Sequence, residues 1–309
     1  MTGIAFMRDA WRRLLGTGGG ALCLLWAAAA WVQAGGAAVI VSKDNAVYRA
    51  AAQTLAGCLP GASIHVLPES DAEADSILRE VGAFEPRLLV AVGARALAEC
   101  GGSFPGAPTV YLMVVSPEKQ SLGPNAYGVA WLPHPKILAD RIRLLCPGAR
   151  RVGMLSIQPE IRLGEVAAGF EEAGLRLEVG RIGSVADVPD ALRKLGPEID
   201  ALWMGVEEGL TNQEAFSLLK SYALQRKIPL FVPIDALARN GALASISISP
   251  RTAAAQACQV AGLLLRGEKP RDRLFHSPDV AVDWNEGVAS AIGRSLPAEA
   301  RALVREILK

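Results

Sequence analysis

The feature that most constrains this chain is a regular alternation of short apolar runs with helical segments. Helices are predicted over 45–57, 71–83 and 94–100, and they separate the runs "AAVIVS", "SIHVLP", "RLLVAV", "PTVYLMV" and "YGVAW". Uniformly apolar strands that alternate with helices are typical of a parallel sheet covered on both faces. The first part of the chain therefore predicts a parallel α/β unit that begins near residue 37.

The same pattern restarts after a predicted helix over 135–146. Helices predicted over 161–173, 187–195, 212–225 and 251–266 separate the runs "RVGMLS", "RLEVGRI", "DALWMGV", "IPLFVP", "GALASISIS" and "DVAVDW", and two short helices are predicted to finish the chain. A chain of 309 residues is long enough for two hydrophobic cores. The fold class predicted is α/β, with two Rossmann-like lobes built on parallel sheets.

The first 34 residues have the pattern of a cleavable export signal. Arg8, Arg12 and Arg13 precede the apolar run "LLGTGGGALCLLWAAAAWV", and Val32-Gln33-Ala34 offers a small-residue cleavage site. The apolar run is also near the length that spans a bilayer, so an N-terminal membrane anchor is the alternative. With cleavage, the protein is expected in the periplasm, beginning near residue 35.

Charge and metal-ligand patterns exclude several classes of function. The formal net charge is +1, which provides no basic field for nucleic acid. The histidines His65, His134 and His276 are scattered and show no metal-ligand spacing, so neither a metal nor a cofactor is expected. We therefore expect a protein that binds a small molecule, without nucleic acid.

Four cysteines remain beyond the predicted export signal: Cys58, Cys100, Cys146 and Cys258. An oxidising compartment permits disulfides, but the spacing is not that of a disulfide scaffold. A Cys58–Cys100 bridge and buried free thiols are the two alternatives that the sequence leaves open.

The stretch "LLVAVGARALAECGG" places Gly93 at the carboxyl end of a strand and Arg95 in the first turn of the following helix. Ligands of open α/β sheets bind beyond the carboxyl ends of the strands. A helix start offers free N–H groups and a partial positive charge, which suit a carboxylate. The sequence therefore predicts a ligand-binding wall at Gly93, Ala94 and Arg95, facing a cleft between the lobes.

Several stretches, taken in order, resemble the substrate-binding protein family of ABC transporters, whose relatives bind tryptophan and other aromatic amino acids. They are "LLVAVGARALA", "PTVYLMVVSP", "RRVGMLSIQPE", "DALWMGVEE", "KIPLFVPIDALARNGALASISIS" and "WNEGVASAIGRSLP". The resemblance implies the type I periplasmic-binding-protein fold, in which two lobes close on a ligand like a Venus flytrap. It implies a first lobe of 35–130 with 249–270, a second of 131–248 with 271–309, and crossings near 129–133, 247–250 and 267–275.

The resemblance also implies a set of ligand-contacting positions at the strand ends. Glu207 stands where the family carries an aspartate and would receive a ligand ammonium or hydroxyl group. Ser116 and Ser249 replace two further aspartates of the family, which implies either a less cationic ligand or a site that has diverged from the family's. Further contacts are expected at Ser42, Lys43, Asp44, Glu160 and Asp235, and Trp131 is a candidate cleft wall at the first crossing.

The function implied is an exported, monomeric solute-binding protein that captures an amino-acid-like ligand and delivers it to a membrane permease. A binding module that signals ligand occupancy to a membrane receptor is the alternative. A two-lobed racemase is a remote alternative, because its paired cysteines would have to face the cleft as thiolates. The cysteines here are predicted within helices or at their ends, so the protein is expected not to be an enzyme.

Overall fold

The computed structural model describes residues 36–309 apart from 121, 158, 159, 197 and 208. Two sheets organise this part of the chain, each formed largely from parallel strands and covered by helices on both faces. The predicted export signal, residues 1–34, lies outside the described residues. In the part that is described, no helix is both long and apolar enough to cross a membrane.

The first sheet has the strand order β11-β5-β4-β3-β1-β2. Its strands are β1 (Ala37–Val41), β2 (Ser63–Val66), β3 (Leu88–Val92), β4 (Thr109–Leu112), β5 (Ala126–Val129) and β11 (Leu274–Phe275). All of its pairings are parallel. The helices that cover it are α1 (Ala46–Cys58), α2 (Asp71–Ala83), α3 (Ala94–Ser103) and α9 (Pro250–Leu265).

The second sheet has the order β13-β12-β10-β9-β8-β6-β7. Its strands are β6 (Arg151–Ser156), β7 (Arg176–Arg181), β8 (Ala201–Trp203), β9 (Leu230–Val232), β10 (Ala244–Ser247), β12 (Ala281–Asn285) and β13 (Val304–Leu308). The helices of this lobe are α4 (Pro135–Leu145), α5 (Glu160–Glu172), α6 (Val188–Leu195), α7 (Gln213–Arg226), α8 (Asp235–Arg239) and α10 (Glu286–Ala291). Short 3₁₀ turns occur at Pro117–Lys119, Val185–Asp187 and Ala298–Leu303.

The two-lobed α/β fold predicted from the sequence is confirmed, and two details at the C-terminus were wrong. Strand β12 runs antiparallel to β10, so the second sheet is mixed. The final segment, predicted as helical, forms β13 because it pairs in parallel with the edge of β12. A long-range pairing of this kind outweighs local helical preference and leaves no trace in local periodicity.

The described chain passes between the sheets three times, through 130–134, 248–249 and 276–280. The third crossing follows β11, which still pairs with β5 of the first sheet, and so lies later than the predicted 267–275. Helix α9 returns to the first lobe through close alanine packing, with Ala253, Ala254, Ala257 and Ala261 buried.

A disulfide joins Cys58, the last residue of α1, to Cys258 in the middle of α9, with the two Cα atoms 6.1 Å apart. The predicted Cys58–Cys100 alternative was wrong, because Cys100 lies buried as a free thiol in α3. The bridge spans a sequence separation of 200 residues that contains most of the second lobe. It therefore fixes the returning helix to the first lobe.

Candidate functional site

A cavity of about 200 Å³ lies between the lobes, at the carboxyl ends of the strands. The first lobe contributes Leu274 of β11 and the ends of β4 and β5 with the segments that follow them. The second lobe contributes Val206 after β8, and the third crossing contributes His276. The lining residues are Tyr111, Val114, Val115, Pro117, Val129, Ala130, Trp131, Leu132, Val206, Leu274 and His276. This is the position at which open α/β sheets bind ligands.

The cavity wall is mainly apolar. Trp131, predicted as a candidate cleft wall, lines it at the first crossing. Val115 also lines it and is 47% exposed, so part of its surface is open to an incoming molecule. Tyr111 is almost fully buried, and its ring occupies the space beside the Cα of Gly128 on β5. Such a wall suits the apolar part of a small ligand.

The Gly93 turn lies on the same sheet edge, at the end of β3, but the predicted wall residues Gly93, Ala94 and Arg95 are not among the residues that line the cavity. The N–H of Gly93 donates to the carbonyl of Leu112 at 2.9 Å, which ties this turn to the end of β4. Gly93 adopts φ +92° and ψ 167°, a conformation reserved almost entirely for glycine. A Cβ here would lie 2.6 Å from Ser42 Oγ and 2.8 Å from Tyr48 Oη. Backbone geometry and close packing therefore both require glycine at this strand end.

Ser42 follows the neighbouring strand β1, and its side chain binds the start of α3. Its buried hydroxyl accepts a 2.9 Å hydrogen bond from the N–H of Ala96. The first intrahelical hydrogen bond runs from the N–H of Leu97 to the carbonyl of Gly93. The N–H groups of Ala94 and Arg95 therefore have no partner within the helix. Ser42 thus orders this helix start from inside the fold.

The side chain of Arg95 is engaged by the loop between β2 and α2. Its guanidinium donates to the carbonyl of Pro68 and, at 3.1 Å, to the carboxylate of Asp71. The ion pair is open to solvent on the Asp71 side. Both partners of the guanidinium therefore lie in its own lobe. Only the backbone of Arg95 is part of the start of α3.

Glu207 follows β8 in the second lobe, immediately after the cavity residue Val206. Its carboxylate is buried and accepts from Ser156 Oγ at 2.6 Å and from the N–H of Ile157 at 2.7 Å. Its own N–H donates to Thr211 Oγ1 at 3.1 Å. The carboxylate therefore ties the end of β8 to the end of β6.

The remaining predicted positions lie at strand or helix ends. Lys43 and Asp44 are exposed, and Asp44 pairs with Arg49 at 3.3 Å. Ser116 stands between the cavity residues Val115 and Pro117, while Glu160 begins α5. Ser249 caps α9 by accepting from Thr252 N at 3.0 Å.

Asp235 belongs to a polar network that the sequence did not indicate. It approaches Arg305 Nη2 at 3.4 Å, and Arg305 also binds the fully buried Asp283 at 2.9 and 2.5 Å. Hydrogen bonding to Asp283 raises the pKa of Arg305. Ser245 donates to the same carboxylate at 3.3 Å. This network joins β10, β12 and β13.

The sequence interpretation missed Tyr111 and Val206, because it searched for polar residues at the strand ends, although both lie within predicted strands. It also missed His276, which follows β11, a two-residue strand that the sequence analysis did not predict. Apolar residues there are indistinguishable from core residues until both lobes are in place.

The two free cysteines are unsuited to a two-thiolate mechanism. Burial, with a smaller contribution from Glu99, raises the pKa of Cys100 to about 12. Burial likewise raises the pKa of Cys146, and Arg294 only partly opposes it. Both groups are protonated thiols at neutral pH, whereas a nucleophile needs the thiolate. Among the described residues, no group of three or more His, Cys, Asp or Glu is arranged to hold a metal ion.

Two facing α/β lobes, three crossings and a cavity at the strand ends define the class of protein with the type I periplasmic-binding-protein fold. The chain belongs to the ABC transporter substrate binding protein family, whose model matches residues 69–281. That family consists of substrate-binding proteins. A search of curated proteins gives no match.

Solved structures share this fold at low sequence identity. A domain in complex with L-Trp from Streptococcus pneumoniae has a TM-score of 0.58 and 18% identity, covering 88% of this chain and 100% of that chain. A ligand-free, open substrate-binding protein with adhesive properties from Clostridium difficile has a TM-score of 0.67 and 16% identity, with coverage of 88% and 99%. A conserved domain protein from Vibrio cholerae has a TM-score of 0.59 and 18% identity, with the same coverage.

Proposed function

We propose that this protein is the exported solute-binding component of an ABC-type uptake system and captures an amino-acid-like ligand between its lobes. The observation that carries the proposal is the interlobe cavity, which is walled by both lobes and by the third crossing. A ligand that touches both walls binds the closed arrangement better than the open one, and this difference in affinity drives closure. The closed protein then delivers its ligand, as a monomer, to a membrane permease.

The size and chemistry of the cavity favour a small ligand with an apolar side chain. At about 200 Å³ it is smaller than the ~300–1,000 Å³ typical of pockets for drug-sized molecules. The start of α3 lies on the same sheet edge, where the backbone amides of Ala94 and Arg95 suit a carboxylate. A free amino acid combines these two groups, and the L-Trp in the Streptococcus pneumoniae structure makes aromatic amino acids the first candidates.

The polar residues at the strand ends of the two lobes offer the ligand ammonium group few new partners. Glu207 already accepts two hydrogen bonds, although a carboxylate has further lone pairs. Ser116 lies within the cavity-lining segment, and Asp44, Glu160, Asp235 and Ser249 are further candidates at the strand ends. In this proposal the apolar cavity and the helix start supply most of the recognition.

Two features support export. The N-terminal basic and apolar pattern is that of a signal peptide, and the Cys58–Cys258 disulfide suits an oxidising compartment. N-terminal sequencing of the protein from a periplasmic fraction should give a start near residue 35. A membrane-bound chain that retains residues 1–34 would instead indicate an anchor.

A thermal-shift screen of residues 35–309 tests the ligand class. Amino acids, nucleosides, sugars and small carboxylates are compared at equal concentrations. An amino acid at 100 times its dissociation constant should add about 2.7 kcal/mol of stability. Stabilisation by a sugar or nucleoside, with none by any amino acid, would contradict the proposed ligand class.

Lobe closure is tested separately by small-angle X-ray scattering. The radius of gyration should fall when the stabilising amino acid from the screen is saturating, because hinge closure makes the particle more compact. An unchanged radius of gyration at saturation would contradict the flytrap mechanism while leaving binding itself established.

A further inference from the structure

A row of three residues crosses the first sheet beside the interlobe cavity. Tyr111 on β4 pairs in register with Gly128 on β5, and Gly128 pairs in register with Leu274 on β11. Side chains at such positions project from the same face of a sheet. Tyr111 and Leu274 both line the cavity, and the residue between them has no side chain. The row therefore leaves a gap in the sheet surface at the cavity wall.

The ring of Tyr111 fills that gap. A Cβ at residue 128 would overlap with Cζ, Cε2 and Oη of Tyr111, so the ring lies directly against the backbone of Gly128. Tyr111 is almost fully buried and belongs to the same core cluster as Val114 and Ala126. Because the rest of the ring is packed in the core, the open space that it borders is the cavity. Any residue larger than glycine at 128 would therefore displace the ring toward the cavity.

The space left beside the ring matches a single-ring group. The cavity volume is about 200 Å³, and an engineered apolar cavity of ~150 Å³ binds benzene. Two fused rings exceed benzene by several carbon atoms. Close-packed walls do not accept added atoms without strain. The cavity thus has a size limit, and the position of the Tyr111 ring sets it from the side of the first lobe.

We propose that Tyr111, held over Gly128, determines ligand specificity by size. The ligand group that enters the cavity is a single six-membered ring or a branched aliphatic group, and a fused bicyclic ring is excluded. This inference rests on the proposed function and narrows its ligand class. Trp131 and Val206 wall the cavity from other elements, so a smaller residue at 111 should deepen the cavity and leave them in place.

The probes are two pairs that differ mainly in ring size: benzene with naphthalene, and phenylalanine with tryptophan. Their affinities are measured by NMR titration, and each pair that binds is judged by the ratio of its two affinities. Wild type should bind the single-ring member at least tenfold tighter, and Tyr111→Leu should lose that preference. Tyr111→Phe keeps the ring and should keep the preference. Tyr127→Leu is the matched control, because Tyr127 is equally buried but packs in the cluster on the opposite face of the sheet.

Gly128→Ala tests the same pair of residues from the other side. The added Cβ should push the Tyr111 ring into the cavity and weaken binding of the single-ring probe at least tenfold. The double variant Gly128→Ala/Tyr111→Leu has no ring to displace and should recover that binding. Gly153→Ala on β6 is the control, since its Cβ would crowd Ile199, at 2.7 Å, and neither residue lines the cavity. It should retain wild-type affinity for the probe.

An unchanged size preference in Tyr111→Leu would overturn the inference, as would equal binding of both ring sizes by wild type or binding of none of the four probes. If one of the two single variants fails to fold, the other decides alone. Amino-acid binding with a size preference that survives in Tyr111→Leu would reject the inference and leave the proposed function standing. The predicted shift with the hydrocarbons, without binding of either amino acid, would uphold the role of Tyr111 and reject the proposed ligand class.

Discussion

The two lobes share one architecture, but their elements are held together by different means. The first lobe is cross-linked by the Cys58–Cys258 disulfide, which fixes α9 on α1. The second lobe relies on buried carboxylates: Glu207 joins β8 to β6, and Asp283 joins β12 to Arg305 on β13. Its cysteine Cys146 remains a free thiol.

A related contrast affects which residues at the ends of strands can be identified as ligand-binding residues. At Gly93 the side chain is absent and the backbone of α3 is presented, whereas at Glu207 a charged side chain is present but bonded within its own lobe. A charged residue at the carboxyl end of a strand can therefore stabilise the lobe, while a glycine at the same place can leave backbone amides for a ligand. The following predictions test this contrast.

Removal of the disulfide should have the largest effect on stability. The double variant Cys58→Ser/Cys258→Ser should lose about 2–5 kcal/mol, because the cross-link restricts the unfolded chain. Chemical denaturation with and without dithiothreitol measures it. Reductant should destabilise wild type and leave the double variant unchanged; equal sensitivity in both would show that the bridge contributes nothing.

Gly93→Ala should destabilise the first lobe by about 3 kcal/mol. It adds a strained backbone conformation, worth ~1–3 kcal/mol, to a Cβ crowded by Ser42 and Tyr48. Gly61→Ala is the matched control, since φ is also positive there but the space beside it is open. Similar losses of unfolding free energy in both variants would show that close packing at Gly93 is unimportant.

Glu207→Ala should destabilise the second lobe by about 2 kcal/mol. It removes the carboxylate that accepts hydrogen bonds from Ser156 Oγ and from the N–H of Ile157, and a hydrogen bond to a charged group contributes ~1.5–3 kcal/mol. Glu172→Ala, at an exposed position on α5, serves as the control. Unchanged stability combined with lost ligand binding would instead assign Glu207 to the ligand.

Arg95→Ala should have the smallest effect. The Arg95–Asp71 ion pair is largely open to solvent, and such pairs contribute ~0–1 kcal/mol. Affinity for the amino acid found by screening should change less than threefold. Asp71→Asn tests the same ion pair from the other side, and a tenfold loss of affinity in Arg95→Ala alone would show that the guanidinium contacts the ligand.

Local patterns predicted most of the secondary structure. Helix α2 covers 71–83 and strand β6 covers 151–156, as the sequence predicts, because burial of one face imposes a regular period on the residues. The long-range features were not predictable in this way. The Cys58–Cys258 pairing and the position of β13 each depend on segments that meet only in the folded chain.

The same difference between local patterns and long-range features applies to the candidate site. The sequence located the strand ends that surround the cleft, since carboxyl ends of parallel strands meet at one edge. It could not separate a cavity wall such as Val206 from a core residue, nor show that Glu207 has internal partners. These distinctions depend on the approach of two lobes that are far apart in sequence.

The most direct test of the account is to fill the interlobe cavity from an exposed position. Val115 lines the cavity and is 47% exposed, so Val115→Trp should block ligand entry without disturbing the core; Val47, equally exposed on α1 and outside the cavity lining, gives the control Val47→Trp. Titration calorimetry with the amino acid found by screening should show at least a tenfold loss of affinity for Val115→Trp, with wild-type affinity for Val47→Trp and unchanged melting temperatures. Wild-type affinity in Val115→Trp would contradict the claim that this cavity is the ligand site.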